Sequence, residues 1–201
     1  AGWQFSEFNT CVICLKGQYQ ISSVQVAECI ECPPGRFILD DGVAADIHDA
    51  EDDCKHCVVG KQFTSKTTPC EICVTGKYQG ANNVAPAVCK ECPDGRYLVD
   101  DKNKADEHDG ETDCKGCPEG YEFDTLSTVC TMCQSGKYQN LGLSDNGVVC
   151  KYCPTGRFIL DDGDTADMHD AEDDCKICIA GKNFISKTEE CKICTGGKYQ
   201  G

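Results

Sequence analysis

The sequence has no run of about 18 apolar residues, so no segment of it could cross a membrane as a helix. It is also poor in core-forming residues, because the 40% of hydrophobic residues includes 20 cysteines in 201 residues and leaves roughly 30% aliphatic and aromatic side chains. Positive charge is scarce: 19 Lys and Arg against 34 Asp and Glu give a net charge of −15. This balance disfavours nucleic acid and anionic membrane surfaces as partners and favours cations or basic proteins.

Catalytic signatures are absent as well. There is no G-x-S-x-G, P-loop or G-x-G-x-x-G motif, and no combination of Ser, His and Asp recurs. We therefore predict that the chain is not an enzyme and requires no cofactor. Asn-x-Ser/Thr sequons are missing too, so N-linked glycans are not expected, whereas O-linked sugars on Ser and Thr stay open.

Cysteine is the residue that the chain has in abundance. All twenty cysteines fall into ten C-x2-C pairs, and the gaps between successive pairs run 14, 21, 12, then 15, 21, 12, then 16, 21, 12 residues. Six cysteines thus recur with a period of about 60 residues, which indicates tandem repeats. The predicted boundaries are residues 1–10 as the tail of a preceding repeat, three repeats at 11–69, 70–129 and 130–190, and the start of a fourth at 191–201.

A shorter pattern lies inside these repeats. After every C-x2-C pair the chain reads x2-G-x(1 or 2)-[F/Y], as in Gly17 and Tyr19 after Cys14. A glycine at a fixed offset predicts a turn with positive φ, and the aromatic residue that follows can cover a neighbouring disulfide where a core is lacking. The pattern therefore predicts ten short turn-and-hairpin units.

Three kinds of chemistry use C-x2-C pairs. A thioredoxin-like redox site needs one pair at a helix start in a βαβ context, which is absent here. Zinc ribbons use two pairs 12 to 21 residues apart, but an odd number of pairs per repeat would put sites across the repeat boundaries. A disulfide ladder, in which the second cysteine of each pair bonds the first of the next pair, closes loops of 12 to 21 residues and stabilises each by roughly 3 kcal/mol.

We take the ladder as the working hypothesis, since sequence alone does not fix connectivity. The predicted bonds are Cys14 to Cys29, Cys32 to Cys54, Cys57 to Cys70, Cys73 to Cys89, Cys92 to Cys114, Cys117 to Cys130, Cys133 to Cys150, Cys153 to Cys175 and Cys178 to Cys191. Cys11 and Cys194 are then candidates for an inter-repeat or inter-chain disulfide. Joining residue 201 to residue 1 of another copy would leave 17 residues between them, close to the gaps of 14 to 16 elsewhere. Partners in sequence outside this chain are the other explanation, and we favour it.

The 21-residue gaps hold three acidic loops, which span Asp40–Asp53, Asp100–Asp113 and Asp161–Asp174. Their carboxylates suit calcium, which takes six to eight oxygen ligands, although the pattern is not that of an EF-hand. The predicted calcium ligands are Asp41, Asp46, Asp49, Asp53, Asp101, Asp106, Asp109, Asp113, Asp162, Asp167, Asp170 and Asp174. His48, His108 and His169 in the same loops are better ligands for zinc or copper.

A structural role is the alternative for these loops. In that interpretation Asp46 caps a helical turn, while His48 and Asp49 hydrogen-bond the loop to Arg36 or to the backbone. We favour it because the second loop has Lys102 in place of Gly42 and Thr112 in place of Asp52, and a demanding metal site would tolerate these changes poorly.

Two motifs follow one another in the second repeat: C-x2-C-x2-G-x-Y at Cys70–Tyr78 and C-x2-C-P-x-G-R-[F/Y] at Cys89–Tyr97. Together they resemble the ephrin-receptor-like cysteine-rich repeat. More distantly it is similar to the tumour necrosis factor receptor cysteine-rich domain, and the acidic loops look like those of large surface or fibre proteins of algae and other protists. The resemblance implies the same ladder connectivity and a secreted array that serves adhesion, ligand capture or fibre building, and fold does not choose among these.

The expected fold class is a small disulfide-rich one: an elongated tandem array of short β-hairpin and turn modules, cross-linked as a linear disulfide ladder, with little regular secondary structure. The expected function is structural, as a repeat segment of an extracellular fibre, appendage or cell-surface stalk that assembles head to tail with copies of itself or flanking repeats. A ligand-binding or adhesive receptor ectodomain is the first alternative, and a calcium- or zinc-binding module is the second.

Overall fold

The computed structural model describes residues 1–6, 10–23, 27–40, 42–100, 103–160 and 165–196. The chain divides into two compact units. Unit 1 comprises Ala1–Glu91 and Asp100–Asp113, and unit 2 comprises Cys92–Val99 and Cys114–Gly201. We use "module" for the segment from one C-x2-C pair to the next, and each unit is built of several modules.

Unit 1 contains five antiparallel two-stranded hairpins among its described residues, each formed by consecutive strands. The strands are β1 (Trp3–Phe5), β2 (Cys11–Ile13), β3 (Gln18–Tyr19), β4 (Ile30–Glu31), β5 (Arg36–Phe37), β6 (Lys55–His56), β7 (Lys61–Gln62), β8 (Glu71–Ile72), β9 (Lys77–Tyr78) and β10 (Lys90–Glu91). Short 3-10 helices occupy the acidic loops at Ala45–Ile47, Glu51–Asp53, Ala105–Glu107 and Glu111–Asp113.

Unit 2 repeats this arrangement with four hairpins in its described part. The strands are β11 (Tyr121–Glu122), β12 (Thr131–Met132), β13 (Lys137–Tyr138), β14 (Lys151–Tyr152), β15 (Arg157–Phe158), β16 (Lys176–Ile177), β17 (Lys182–Asn183) and β18 (Lys192–Ile193). Its acidic loop carries 3-10 helices at Ala166–Met168 and Glu172–Asp174, and Tyr97 forms an isolated antiparallel bridge with Lys115. Within the described residues of both units, no helix is long and apolar enough to span a membrane.

The hairpins follow from the recurring glycine. Nine of the ten pattern glycines lie in described residues, and all nine have positive φ, between 75° and 83°; the tenth, Gly197, lies outside them. Glycine takes this conformation without the steric cost that a side chain would add. The turn then lets the second cysteine of the next pair donate its N–H to the glycine carbonyl, as from Cys32 to Gly17 at 2.8 Å and from Cys153 to Gly136 at 2.8 Å.

Nine disulfides connect consecutive modules, and they confirm the predicted ladder. The Cα atoms of each pair lie 5.6–5.7 Å apart, which is the ordinary spacing for this bond. Cys11 and Cys194 are free thiols. The fold is therefore a small disulfide-rich hairpin array, as expected from the sequence. The division into three 60-residue repeats stays a prediction.

The disulfides take the place of a large core. In unit 1, Tyr19 and Ile38 pack with the Cys32–Cys54 bridge, and unit 2 contains the equivalent cluster of Tyr138 and Ile159 with the Cys153–Cys175 bridge. The aromatic residue of the turn thus covers a disulfide of the following module, in agreement with the sequence prediction.

Candidate functional site

Each acidic loop contains a histidine with no exposed surface. His48 is 0% exposed, with Nδ1 2.7 Å from the carbonyl oxygen of Gln18 and Nε2 3.0 Å from Oδ2 of Asp40. Gln18 belongs to β3, in the module before the loop, so the ring joins the loop to the preceding hairpin. We call this contact the histidine clasp.

The clasp recurs in the other two loops. His108 is 0% exposed and places Nδ1 2.6 Å from the Lys77 carbonyl oxygen and Nε2 2.8 Å from Asp100 Oδ2. His169, also fully buried, places Nδ1 2.8 Å from the Lys137 carbonyl oxygen. The Nδ1 contact therefore recurs in all three loops, and the contact of Nε2 with an aspartate is observed in the first two.

The geometry identifies the donors in the first clasp. A carbonyl oxygen only accepts hydrogen bonds, so Nδ1 of His48 carries a hydrogen. Asp40 Oδ2 also accepts the N–H groups of Gly42 and Ala44, at 3.1 and 3.3 Å, so this oxygen acts as an acceptor. His48 therefore donates through Nδ1 to the hairpin backbone and pairs through Nε2 with Asp40, so that one ring joins the two segments.

A buried glutamine supports each clasp from the same hairpin. The backbone N–H of Gln20 donates to the His48 carbonyl at 2.8 Å, and Gln79 and Gln139 do the same toward His108 and His169 at 2.9 and 2.8 Å. The side chains of Gln79 and Gln139 are also buried, and each donates its amide to the preceding module, to Lys61 at 3.1 Å and Tyr121 at 2.8 Å.

Tyrosines from these hairpins reach the far end of each loop. The hydroxyl of Tyr138 donates to Glu172 at 3.0 Å, that of Tyr78 to Glu111 at 3.1 Å, and that of Tyr19 to Glu51 at 3.5 Å. Burial raises the pKa of each of these three tyrosines, and the neighbouring glutamate raises it further through its negative charge and its hydrogen bond from the hydroxyl. These phenols therefore stay protonated, and able to donate, up to strongly alkaline pH.

One part of the structural interpretation of the loops is wrong. Asp46 does not cap the helical turn: the 3-10 helix starts after Ala44, no side chain caps it, and Asp46 lies exposed inside the first turn. Arg36 pairs with Glu51 at 3.5 Å and not with His48 or Asp49. The error has a local cause, since Asp46 follows the first helical residue, Ala45, and does not precede it.

The second helical turn of each loop is fixed by its last aspartate. Asp53 Oδ2 accepts the N–H groups of Asp49 and Ala50 at 3.1 and 2.9 Å. Asp113 and Asp174 accept from Gly110 and Ala171, each at 2.9 Å. These predicted calcium ligands therefore already satisfy backbone donors at the start of a 3-10 turn.

The remaining predicted calcium ligands are dispersed. Asp41, Asp101 and Asp162 lie outside the described residues. Asp46, Asp106 and Asp167 are exposed on the first helical turn, as are Asp49 and Asp109 after it, while Asp170 is partly buried. Within the described ranges, no three His, Cys, Asp or Glu side chains come together in an arrangement that could hold a metal ion. The calcium site stays a prediction.

Asp170 is the carboxyl whose environment differs most from water in the third loop. Its pKa is raised by burial and then by the negative charge and hydrogen bond of Asp174, with smaller contributions from Asp167 and Glu119.

The zinc and redox alternatives require C-x2-C pairs in which both cysteines are available, and in the structure disulfides between modules use these cysteines. Every C-x2-C pair has at least one cysteine in a disulfide to another module, so no pair has both thiols free. Cys11 is exposed and Cys194 is partly exposed, and the two belong to different pairs. The pairs therefore act as consecutive bridge points of the ladder.

The sequence interpretation missed two kinds of residue in the clasp. The buried glutamines had a signal, because Tyr-Gln follows the turn in all three hairpins that hold a histidine, at Tyr19-Gln20, Tyr78-Gln79 and Tyr138-Gln139. The sequence signal for Asp40 and Asp100 was weaker, because each begins an Asp-Asp pair in which the second aspartate is the predicted calcium ligand. Their role depends on contact with a residue eight positions later, which spacing alone does not show.

Comparison with known proteins agrees with this architecture at the start of the chain. Residues 4–43 match the model of the family described as tyrosine-protein kinase ephrin type A/B receptor-like. This stretch is an ephrin-receptor-like cysteine-rich module. No curated protein matches the chain. Dense disulfides in such a module are typical of extracellular domains.

Proposed function

We propose that this chain is a structural segment of an extracellular fibre, appendage or cell-surface stalk, in which modules of the same kind stack head to tail. One observation carries the proposal: the same backbone contact between modules recurs along the array at the turn glycines. A contact made by backbone atoms in every repeat can be extended by any further module with the same turn.

The contact joins a turn glycine to the first helical turn of the next acidic loop. A methyl group built on Gly120 would lie 2.7 Å from the carbonyl oxygen of Ala166, and Gly2 and Gly60 are covered in the same way by Ala45 and Ala105. A second series of turn glycines has a similar contact with a loop. Ala85 and Pro86 cover Gly35, and Asn146 and Gly147 cover Gly95. These contacts leave no room for a side chain, so modules that are two apart along the chain meet backbone to backbone.

Two turn glycines later in the chain have the same position in their modules but are not covered by another described module. A methyl group on Gly156 or Gly181 would meet no atom of the described residues within 4 Å, although φ is 83° at both. These two turns therefore offer the surface that accepts a module elsewhere in the array. The free thiols of Cys11 and Cys194 occupy ladder positions that a neighbouring repeat or chain could complete.

Sedimentation velocity and electron microscopy over a range of concentrations test this proposal on the oxidised chain. We expect end-to-end oligomers that grow with concentration, and a Cys11→Ser, Cys194→Ser variant that still associates but forms no covalent oligomer. A Gly156→Ala, Gly181→Ala variant should associate less, whereas Gly196→Ala, at a position with open space around it, should not. Monomers at every concentration would contradict the proposal.

A ligand-binding or adhesive ectodomain is the second candidate, and the family match at residues 4–43 favours it. It predicts a monomeric chain that is captured by a cell-surface or matrix protein. Surface plasmon resonance with the monomer immobilised distinguishes the two, because a structural segment should bind chiefly its own copies.

A further inference from the structure

A cleft of about 520 Å³ lies in unit 1, between the loop of residues 80–88 and the second acidic loop at residues 109–111. We call it the Gly80 cleft. Its volume falls in the ordinary range for binding sites, about 300–1,000 Å³. The histidine clasp does not use the cleft, and neither do the turn-glycine contacts.

Two glycines form the floor of the cleft, and they occur together only in this repeat. Gly80 corresponds to Ile21 and Asn140 in the other Tyr-Gln hairpins, and Gly110 corresponds to Ala50 and Ala171 in the other acidic loops. A methyl group built on Gly80 would lie 3.0 Å from the Asp109 carbonyl oxygen and 3.6 Å from Gly110 Cα. Neither glycine has positive φ, so no left-handed turn requires them, and the close approach of the Asp109 carbonyl leaves little room for a side chain at Gly80. Their effect is to leave the floor free of side chains.

The walls of the cleft differ in character. One wall is apolar, formed by Pro86 and by the side chains of Val84 and Val88, which are 36% and 58% exposed. The other wall has the carboxylates of Asp109 and Glu111 with the ring of Tyr78. The Tyr78 hydroxyl donates to Glu111 Oε2 at 3.1 Å and so holds that carboxylate in place.

The charge of the lining selects the occupant. Asp109 and Glu111 contribute two negative charges against the single ammonium of Lys90, in a chain whose net charge is −15. The occupant must therefore be cationic, and it needs an aliphatic part to cover Val84 and Val88. Arginine in a peptide combines both, because its stem packs on apolar surface while its guanidinium bonds carboxylates and stacks on an aromatic ring.

We propose that the Gly80 cleft binds an arginine side chain of a basic partner peptide, with the stem on Val84 and Val88 and the guanidinium at Asp109 and Glu111. The site belongs to the second repeat alone, since the other repeats carry side chains where Gly80 and Gly110 leave space. Its lining includes none of the turn glycines, so the site is independent of stacking there.

Titration of the oxidised full chain with a blocked peptide that has arginine between two leucines tests this proposal. Amide shifts in the ¹H–¹⁵N spectrum should concentrate at Gly80, Gly110 and Glu111. The same peptide with citrulline, which keeps the shape of arginine but lacks its charge, should not bind. Because this control changes only the peptide, it does not depend on the folding of any variant.

Two pairs of variants then locate the site. Glu111→Gln should weaken binding about tenfold, a loss of roughly 1.4 kcal/mol, whereas Glu172→Gln at the equivalent position of the third loop should leave it unchanged. Gly110→Ala, which installs the residue of the other two loops, should also weaken it, and Ala171→Gly should not affect it. Absence of binding, equal binding of the citrulline peptide, or equal effects of Glu111→Gln and Glu172→Gln would overturn the proposal.

Discussion

At the scale of single residues, the histidine clasp is the contact on which each acidic loop depends. His48→Ala would remove two hydrogen bonds, deprive Asp40 of its His48 contact and open a cavity where the ring has no exposed surface. We expect a loss of about 2–4 kcal/mol in the free energy of unfolding, measured by guanidinium titration of the oxidised protein.

His56 provides the matched control. It lies on β6, is partly exposed, and places Nδ1 3.4 Å from the Val84 carbonyl oxygen, at the limit of a hydrogen bond. His56→Ala should change the free energy of unfolding by about 0.5 kcal/mol or less. Equal losses for the two variants would contradict the structural role of the clasp.

Asp170 gives a pH-dependent prediction. Burial and the neighbouring Asp174 raise its pKa in the folded state above the ordinary 3.8, so its ionisation destabilises the fold as pH rises through the folded pKa. Asp170→Asn should therefore raise the melting temperature at neutral pH, and the gain should vanish below pH 3.8, where aspartate is protonated in both states.

Melting curves between acidic and neutral pH check this expectation. Asp173→Asn is the control, because Asp173 is exposed in the same loop and its neutralisation should have little effect. A neutral-pH melting temperature that is lower for Asp170→Asn than for the unchanged chain would contradict the assignment.

Residue-level prediction from the sequence succeeded where the reason was local. The turn glycines were identifiable because each lies at a fixed offset from a cysteine, and Tyr19 could be assigned to a disulfide because it follows that turn. Asp40 and Gln20 were missed, since their role arises from contact with His48 at 8 and 28 positions away in sequence.

At the scale of elements, the contact between turn glycine and acidic loop can be measured with one pair of variants. Gly120 and Gly181 lie in unit 2 with nearly equal φ, 82° and 83°, but among the described residues only Gly120 is covered by another module. Alanine at Gly181 should cost about 1–2 kcal/mol, the strain of a left-handed residue. Alanine at Gly120 should cost about 1–3 kcal/mol more, because its methyl group would overlap Ala166.

Equilibrium unfolding of both variants gives the difference directly. The two substitutions share the backbone strain, so the excess at Gly120 measures the module contact alone. Equal costs would mean that the contact contributes nothing to stability, and the argument for stacking through the turn glycines would then fail.

The elements themselves were predictable only in part. The hairpins follow from the glycine turn that each C-x2-C pair precedes. The sequence predicts a helical turn in the first acidic loop but places its start too late. Aspartate is a common capping residue, whereas in the structure Asp46 lies inside the turn at Ala45–Ile47. The sequence analysis did not predict the second helical turn, at Glu51–Asp53. This turn is stabilised by Asp53, which accepts two backbone N–H groups and which the sequence analysis predicted to be a calcium ligand.

At the scale of the whole molecule, the calcium prediction can be tested without knowing the site. If the acidic loops hold calcium, millimolar calcium should raise the melting temperature, and a chelator should reverse the gain. If the aspartates serve only as backbone acceptors, calcium and magnesium should have equal and small effects. Isothermal titration with each ion distinguishes specific binding from screening of the net charge.

The arrangement of disulfides could be predicted at this scale, because spacing favours closing loops of 12 to 21 residues over closing two-residue loops. The grouping of modules into two units could not, since Asp100–Asp113 joins unit 1 while the preceding Cys92–Val99 joins unit 2. This grouping depends on which hairpin each acidic loop contacts, and the cysteine spacing, which differs by only one or two residues between repeats, does not show that contact.

The central claim is the sequential ladder, and disulfide mapping tests it most directly. Proteolysis without reduction, followed by mass spectrometry and metal analysis, should recover the nine bonds from Cys14–Cys29 to Cys178–Cys191, with at most two titratable thiols and no zinc. Twenty titratable thiols with stoichiometric zinc, or bonds closed within single C-x2-C pairs, would contradict the account.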